Sequence, residues 1–192
     1  MALFAERGYA KTTVGDIAAR AGLTERTFFN HFTDKREVLF AGSEHLVNLI
    51  VDAIHTAAKS EPPLDVVLVA YEATSAFFDG RRAHARRRSE LIAAQPELQE
   101  RELIKMMSLV AAVTEALKQR GTPASPASLA SELGATMFRV GFEQWVQDPK
   151  DRGLTFHLRA ARRQVEGIVG QAKRRMVRSP PPGVPKRRPA KL

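Results

Sequence analysis

Apolar side chains recur along most of this chain at intervals of three and four, which lays them on one face of a helix. The run Leu103, Met106, Met107, Val110, Val113 and Leu117 is the clearest example. The strict alternation of a half-buried strand is absent. The one β-branched cluster, Asp65 to Val69, leads straight into a longer helical pattern. Breakers divide the chain at Pro62 and Pro63, at Gly80, at Pro96, and over residues 121–126 and 148–153. Between them the pattern predicts helices over residues 65–79, 82–94, 97–120, 127–146 and 155–176. After Met176 the chain reads VRSPPPGVPKRRPAKL, proline-rich and basic with little to bury, and is expected to be disordered. The predicted fold class is all-α: a small N-terminal helical unit over residues 1–46, a bundle over 47–176 and a tail over 177–192.

Three helix-start signals crowd the opening. Thr13, Thr24 and Asp34 each offer a side-chain oxygen to the unpaired N–H groups of a first turn. Asp16 and Glu37, three residues on, make the Thr13 and Asp34 signals resemble capping boxes. Helices are therefore predicted to begin near Val14, Glu25 and Lys35. The first ends at Gly22, a residue suited to a left-handed C-terminal position. Only Leu23 and Thr24 separate it from the second. Two short helices joined by a tight turn make a helix-turn-helix. Ile17, Ala18, Ala21, Leu23, Phe28 and Phe32 are expected on its inner face, with Arg26, Thr27, Asn30 and His31 outward. Such a helix lies in the DNA major groove with its first residues over base edges. Threonine and asparagine hydrogen-bond bases, asparagine best to adenine. Lys35 is placed for a phosphate beside helix N–H groups.

Composition narrows the classes without selecting one. The 192 residues are 44% hydrophobic, enough for a core, and carry a formal charge of +9. That charge invites a nucleic-acid reading, yet residues 1–58 hold six basic side chains against seven acidic ones. The excess lies in Arg81 to Arg88 and from Lys173 onward. There is no cysteine, which removes disulfides, thiol nucleophiles and thiolate metal sites. No apolar run is long enough to span a membrane and the N-terminus does not read as a secretory signal, so a cytoplasmic protein is expected. The histidines His31, His45, His55, His84 and His157 stand apart from one another and from carboxylate clusters, so no metal site is expected. No nucleophile–base pair or phosphate-cradling glycine loop suggests an enzyme.

The run FAERGYAKTTVGDIAARAGLTERTFFNHFTDKREVL, Phe4 to Leu39, resembles the DNA-binding domain of the tetracycline-repressor (TetR) family. The resemblance implies a homodimeric transcription factor that binds a palindromic operator, usually as a repressor. It implies DNA contacts from Thr13, Thr24, Arg26, Thr27, Phe29, Asn30, His31 and Lys35. It also implies a long helix from about Lys35 to Lys59, roughly 37 Å, that carries a small effector's signal to the reading heads. The chain departs from the pattern twice. The family's first helix has ten or more further residues before Phe4, so either the start lies upstream or a segment packing on Ile17 and Phe28 is missing. Phe29 stands where the family most often has tyrosine. The alternative reading is a helical small-molecule-binding protein that has lost DNA binding through this short first helix.

The segment Arg81 to Met107 resembles a subgroup with an acyl-CoA-like ligand-binding domain, similar to mycofactocin-system regulators. The resemblance implies no cofactor but a small-molecule effector of that kind. Arg81, Arg82, Arg86, Arg87 and Arg88 would meet its phosphates, and Tyr71, Phe77, Phe78, Met106 and Met107 would line its apolar tunnel. A blander reading stands beside this one: an arginine run is a solvated face, and methionine and phenylalanine at helical spacing are core. The stripe Phe138, Phe142, Trp145 reads as core or dimer interface. The helices near 127–146 and 155–176 are expected to pair with their copies in a four-helix dimer interface. The basic tail adds nonspecific DNA affinity or merely solubilises the chain.

Overall fold

The computed structural model describes residues 1–178, with side chains through residue 171. Among these residues every regular element is a helix. Most of the tail expected to be disordered lies outside the described residues; its first two, Val177 and Arg178, end the last helix.

The N-terminal unit holds α1 (Ala2–Arg7), α2 (Val14–Arg20) and α3 (Glu25–Phe29). Thr13 and Asp16 form the expected capping box, and Thr24 accepts from the Thr27 N–H at the start of α3. Gly22 adopts φ +69, the left-handed conformation the tight turn requires. Ala18 and Phe28 are buried as expected. Ala21 and Leu23 are exposed, contrary to expectation, Leu23 at 47%. The core beneath the helix-turn-helix is small, and Phe28 with Phe32, ring centroids 5.2 Å apart, fills it from the α3 side.

The long helix expected from about Lys35 to Lys59 does not form. A 3₁₀ turn, Glu37–Phe40, is followed by Gly42 at φ +88 and then by α4 (Ser43–Thr56), 14 residues and about 21 Å long. Local and distant contacts stand in its place. Asp34 accepts from the backbone N–H groups of Arg36 and Glu37 and from the Arg36 guanidinium, which closes a local turn. The Glu37 carboxylate, expected to complete a capping box, instead meets Arg101 and Lys105. Leu39 and Phe40 pack into a core with Phe4, Tyr9, Ile92 and Leu98.

The bundle comprises α5 (Pro63–Ala73), α6 (Ser75–Phe78), α7 (Arg82–Ala93), α8 (Pro96–Gln119), α9 (Ala124–Gln147) and α10 (Leu154–Arg178). The helix expected over 65–79 is divided at Thr74, whose buried hydroxyl donates back to the Tyr71 carbonyl at 2.7 Å and disrupts the helical ladder. The main core joins Ile50 and Ile54 of α4 to Val67 and Tyr71 of α5, Val113 and Leu117 of α8, and Leu158 of α10. α9 runs through the middle, and two glycines permit it. A Cβ at Gly134 would fall 2.3 Å from Val67 Cγ1, and one at Gly141 would fall 3.1 Å from the Leu158 Cα.

Candidate functional site

The outward face of the helix-turn-helix is built from behind. Hydrogen bonding of the helical kind continues past α3: the Asn30 N–H donates to the Arg26 carbonyl and the Phe32 N–H to the Phe28 carbonyl. Phe28 and Phe32 thus anchor one side, and Arg26, Asn30 and His31 are exposed on the other. Thr27 is half-buried, its hydroxyl 2.9 Å from that of Thr24. Thr13 and Thr24 act as helix caps with exposed side chains. Phe29 is 54% exposed, its edge against the Phe28 ring. Lys35 differs from expectation. Its ammonium donates to the carbonyls of Tyr9 at 2.9 Å and Thr12 at 3.2 Å and lies over the Tyr9 ring. The charge aimed at a phosphate instead fastens the α1–α2 connection to the segment after α3. Lys11, which sequence reasoning passed over, is exposed just before α2.

Arg88 also sits away from its expected place. Its Nε donates to the Leu39 carbonyl at 2.8 Å, its two terminal nitrogens hold Glu102 at 3.2 and 2.7 Å, and its plane covers the Phe40 ring. Beside it, Glu37 lies between Arg101 and Lys105. Burial alone would raise the Glu37 carboxyl, but the Arg101 hydrogen bond and the two positive charges outweigh it and hold the group below its ordinary value. These contacts clasp the reading head to α7 and α8. No sequence signal marked them, because the polar contacts that reach the head join residues 49 or more apart along the chain, and Arg88 and Glu102 stand 14 apart on different helices.

The other expected ligand residues scatter. Arg81 lies over Phe77, which faces His45. Among the described residues Arg86 pairs only with Glu90 one turn on, and Arg87 is exposed. Met106 packs against the main core, whereas Met107 is 73% exposed. Tyr71 is buried and stacked on Phe138 at 4.9 Å, and the void beside it is only about 10 Å³. Around Tyr71 the space expected of an apolar tunnel is therefore filled by side chains. Phe138, Phe142 and Trp145 form an aromatic cluster with Phe78, the core alternative for that stripe. A cavity of about 420 Å³ opens instead where α6 and the start of α7 meet the α9–α10 connection. Phe78 and Arg82 of the expected set line it, joined by Trp145 and Arg152.

That connection is organised by Asp148, whose buried carboxylate accepts from the Lys150 and Arg152 N–H groups, the Arg152 guanidinium and His157 Nε2. The Arg152 guanidinium, with these further donors, outweighs burial and holds the carboxyl far below the usual range. A depressed carboxyl stabilises the fold fully above its unfolded value, near 3.9, and the contribution is lost as pH falls through the folded value. Asp148→Asn is expected to melt at lower temperature near neutral pH. Its stability should also fall less steeply than wild type below about pH 4, as thermal melts across the acid range would register. Parallel curves for the two proteins would remove Asp148 from the acid transition. Among the described residues no His, Asp and Glu side chains group as metal ligands, and no described helix is long and apolar enough to cross a membrane.

Comparison with known proteins places this architecture. Residues 1–41 match the family model for bacterial regulatory proteins of the tetR family, and residues 61–169 match the model for the MftR C-terminal domain. The chain is 25% identical over 152 residues to a Mycobacterium tuberculosis protein named as the mycofactocin biosynthesis transcriptional regulator MftR, covering 76% of this chain and 75% of that one. It is 38% identical over 65 residues to the HTH-type transcriptional repressor Rv3405c of the same organism, 34% of this chain and 32% of the other. Among solved structures, Thermus thermophilus FadR in complex with lauroyl-CoA aligns over 85% of this chain and 87% of that one at 22% identity, with a TM-score of 0.47. Both family models fall on the two helical units described above, and the chain is a member of the tetR family of transcriptional regulators with a C-terminal domain of the MftR kind.

Proposed function

We propose that this regulator is a homodimeric repressor that reads a palindromic operator through α2 and α3 and lets go when a small molecule enters the bundle. The observation that carries the DNA-reading part is the exposed set Arg26, Asn30 and His31 on a helix pinned from behind by Phe28 and Phe32. Arg26 and Asn30 reach base edges, and Thr27 contributes a hydroxyl at the groove floor. The exposed Lys11 and His31 meet phosphates, and Lys35 positions the head through the α1–α2 connection. Asn30→Ala is expected to weaken specific binding by roughly 1–3 kcal/mol and relax one operator position, whereas Lys35→Ala weakens all sequences alike. Salt-controlled titrations on a panel of operator variants distinguish these effects. A uniform loss for both substitutions would mean that Asn30 is no base reader. Absence of binding above random sequence by the wild-type chain would leave only the DNA-independent small-molecule reading.

The dimer half of the proposal rests on apolar surface left bare by α9 and α10. Leu129 and Leu133 of α9 are 62% and 42% exposed, and Ile168 and Val169 of α10 are 67% and 61% exposed. The two helices pack along each other from their short connection at residues 148–153, so residues equally distant from it lie side by side, which sets Leu133 level with Ile168 and Val169 and Leu129 about one turn beyond. A second copy covers such a patch in an isologous contact. Replacing Leu129 and Leu133 together by glutamate is expected to give monomers at micromolar concentration in sedimentation analysis. A double variant that sediments like wild type would place the interface elsewhere.

An acyl-CoA-like effector would meet Arg86 and Arg87, both exposed, with its phosphates. It would require Tyr71, Met106 and Phe138 to part for its tail. Titrating an operator complex with an acyl-CoA thioester and with free CoA tests this: equal release by both would exclude recognition of the acyl chain.

A further inference from the structure

We propose that the cavity of about 420 Å³ is a binding site for a small organic monocarboxylate with a flat apolar body, seated on Arg82 in place of the Asp151 side chain. The size lies at the low end of ligand pockets, about 300–1,000 Å³, and is too small for a whole CoA thioester. Its walls are of two kinds. Phe78, Trp145 and Leu154 give apolar surface, while Arg82 and Arg152 give guanidinium groups.

Arg82 donates to the Asp148 carbonyl, and its Nε forms an ion pair with the Asp151 carboxylate at 3.1 Å. The two aspartates of this loop are held very differently. Asp148 is buried and has five donors, whereas the Asp151 side chain is 81% exposed and rests on one guanidinium nitrogen. Asp151 also has φ +52, a left-handed conformation that a residue with a Cβ adopts at a cost. Asp151 thus occupies an anion position without being fixed there. A ligand carboxylate exchanges for it with one ion pair replacing another, and the ligand's body gains burial against Phe78 and Trp145 that Asp151 lacks. Ser75 Oγ accepts from the Thr155 hydroxyl at 2.8 Å, which leaves its own proton to donate into the cavity. Asp79 also lines the space and repels a second negative charge, restricting the ligand to a monoanion. The site rests on this cavity alone and stands apart from the DNA reading.

Trp145 is the single tryptophan of the chain and lines the cavity, so its fluorescence reports occupancy. Titration of the full chain with 4-nitrobenzoate is expected to give saturable quenching. The neutral 4-nitrobenzamide should bind about tenfold or more weakly for want of the charge-assisted hydrogen bonds. Arg82→Gln should abolish the difference between acid and amide. Asp151→Asn should tighten the acid several-fold, a gain that a damaged fold does not produce. Equal binding of acid and amide to wild type overturns the proposal. So does quenching no different from that of free N-acetyltryptophanamide, or an Asp151→Asn variant that binds the acid no better than wild type.

Discussion

Arg88→Ala is expected to loosen the reading head from the bundle and to cost about 2–3 kcal/mol of stability. One guanidinium of α7 serves a backbone carbonyl and an aromatic face of the 3₁₀ turn and, in the two-pronged manner, a carboxylate of α8. Its side chain is only 22% exposed and that of Glu102 36%, so neither group is fully hydrated, though partial exposure keeps the loss below that of a fully buried pair. Truncation leaves Glu102 and the Leu39 carbonyl without their donor and uncovers Phe40. Lysine is a poor substitute, because a single ammonium cannot reproduce the planar fork. Denaturant unfolding measures the loss, and amide hydrogen exchange locates it: faster exchange is expected over Glu37–Phe40 and α1, with α9 unchanged. A double-mutant cycle with Glu102→Ala should give a coupling of about 1–2 kcal/mol. Uniform exchange across the chain together with no coupling would show that the head is held by its apolar contacts alone. Because α7 carries Arg82 at one end and Arg88 further along, the same helix touches both the cavity and the head. A ligand that shifts α7 therefore has a physical route to the reading face, provided the two states bind it unequally.

What was legible in the sequence follows from the range of the interactions involved. The capping of α2 and α3 depends on residues three apart, so Thr13, Asp16 and Thr24 announced both helix starts, and Gly22 announced the turn. The bundle helices were visible because their apolar stripes have the helical period, and breakers such as Pro96 and Gly121 mark their ends. The failures lie where a distant partner overrode a local signal. Glu37 has the right spacing from Asp34 for a capping box, yet Arg101 and Lys105, more than sixty residues away, capture its carboxylate and the helix does not start there. Lys35 has the position of a phosphate contact, but the Tyr9 and Thr12 carbonyls of the α1–α2 connection lie within reach of its ammonium. The arginine run looked uniform. The fold separates it into Arg82 in a cavity wall, Arg88 in the clasp, and Arg86 and Arg87 facing solvent. Identical side chains in one helix take different roles because each faces a different neighbour, and periodicity cannot say which neighbour that is.

Tyr71 supplies the second large expected effect, and the outcome has opposite signs for two substitutions. Tyr71 is 1% exposed, stacks on Phe138 and packs between α5 and α9 near Gly134. Removing the ring leaves a cavity that this close helix crossing cannot fill, so Tyr71→Ala is expected to cost about 3–5 kcal/mol. The phenol oxygen tells a different story. It is buried and has no hydrogen-bond partner among the described residues. Burial, with the Glu132 charge nearby, pushes the phenol up so that it stays protonated at every physiological pH. A buried hydroxyl without a partner carries a desolvation penalty of about 1–3 kcal/mol. Tyr71→Phe keeps the ring and removes that penalty, so it is expected to leave stability unchanged or raise it by about 1 kcal/mol. The same side chain was a candidate wall of an acyl tunnel, and the pair of variants bears on that as well. If the hydroxyl waits for a ligand, Tyr71→Phe weakens effector binding while the protein melts no lower. If it is simply an unsatisfied core group, the melt rises and effector binding does not move. Thermal unfolding and ligand titration on one variant therefore separate a polar group kept for recognition from one merely tolerated by a core that needed the ring. A large loss of stability in Tyr71→Phe would contradict both, and would mean that the hydroxyl has a partner, such as an enclosed water, that the fold depends on.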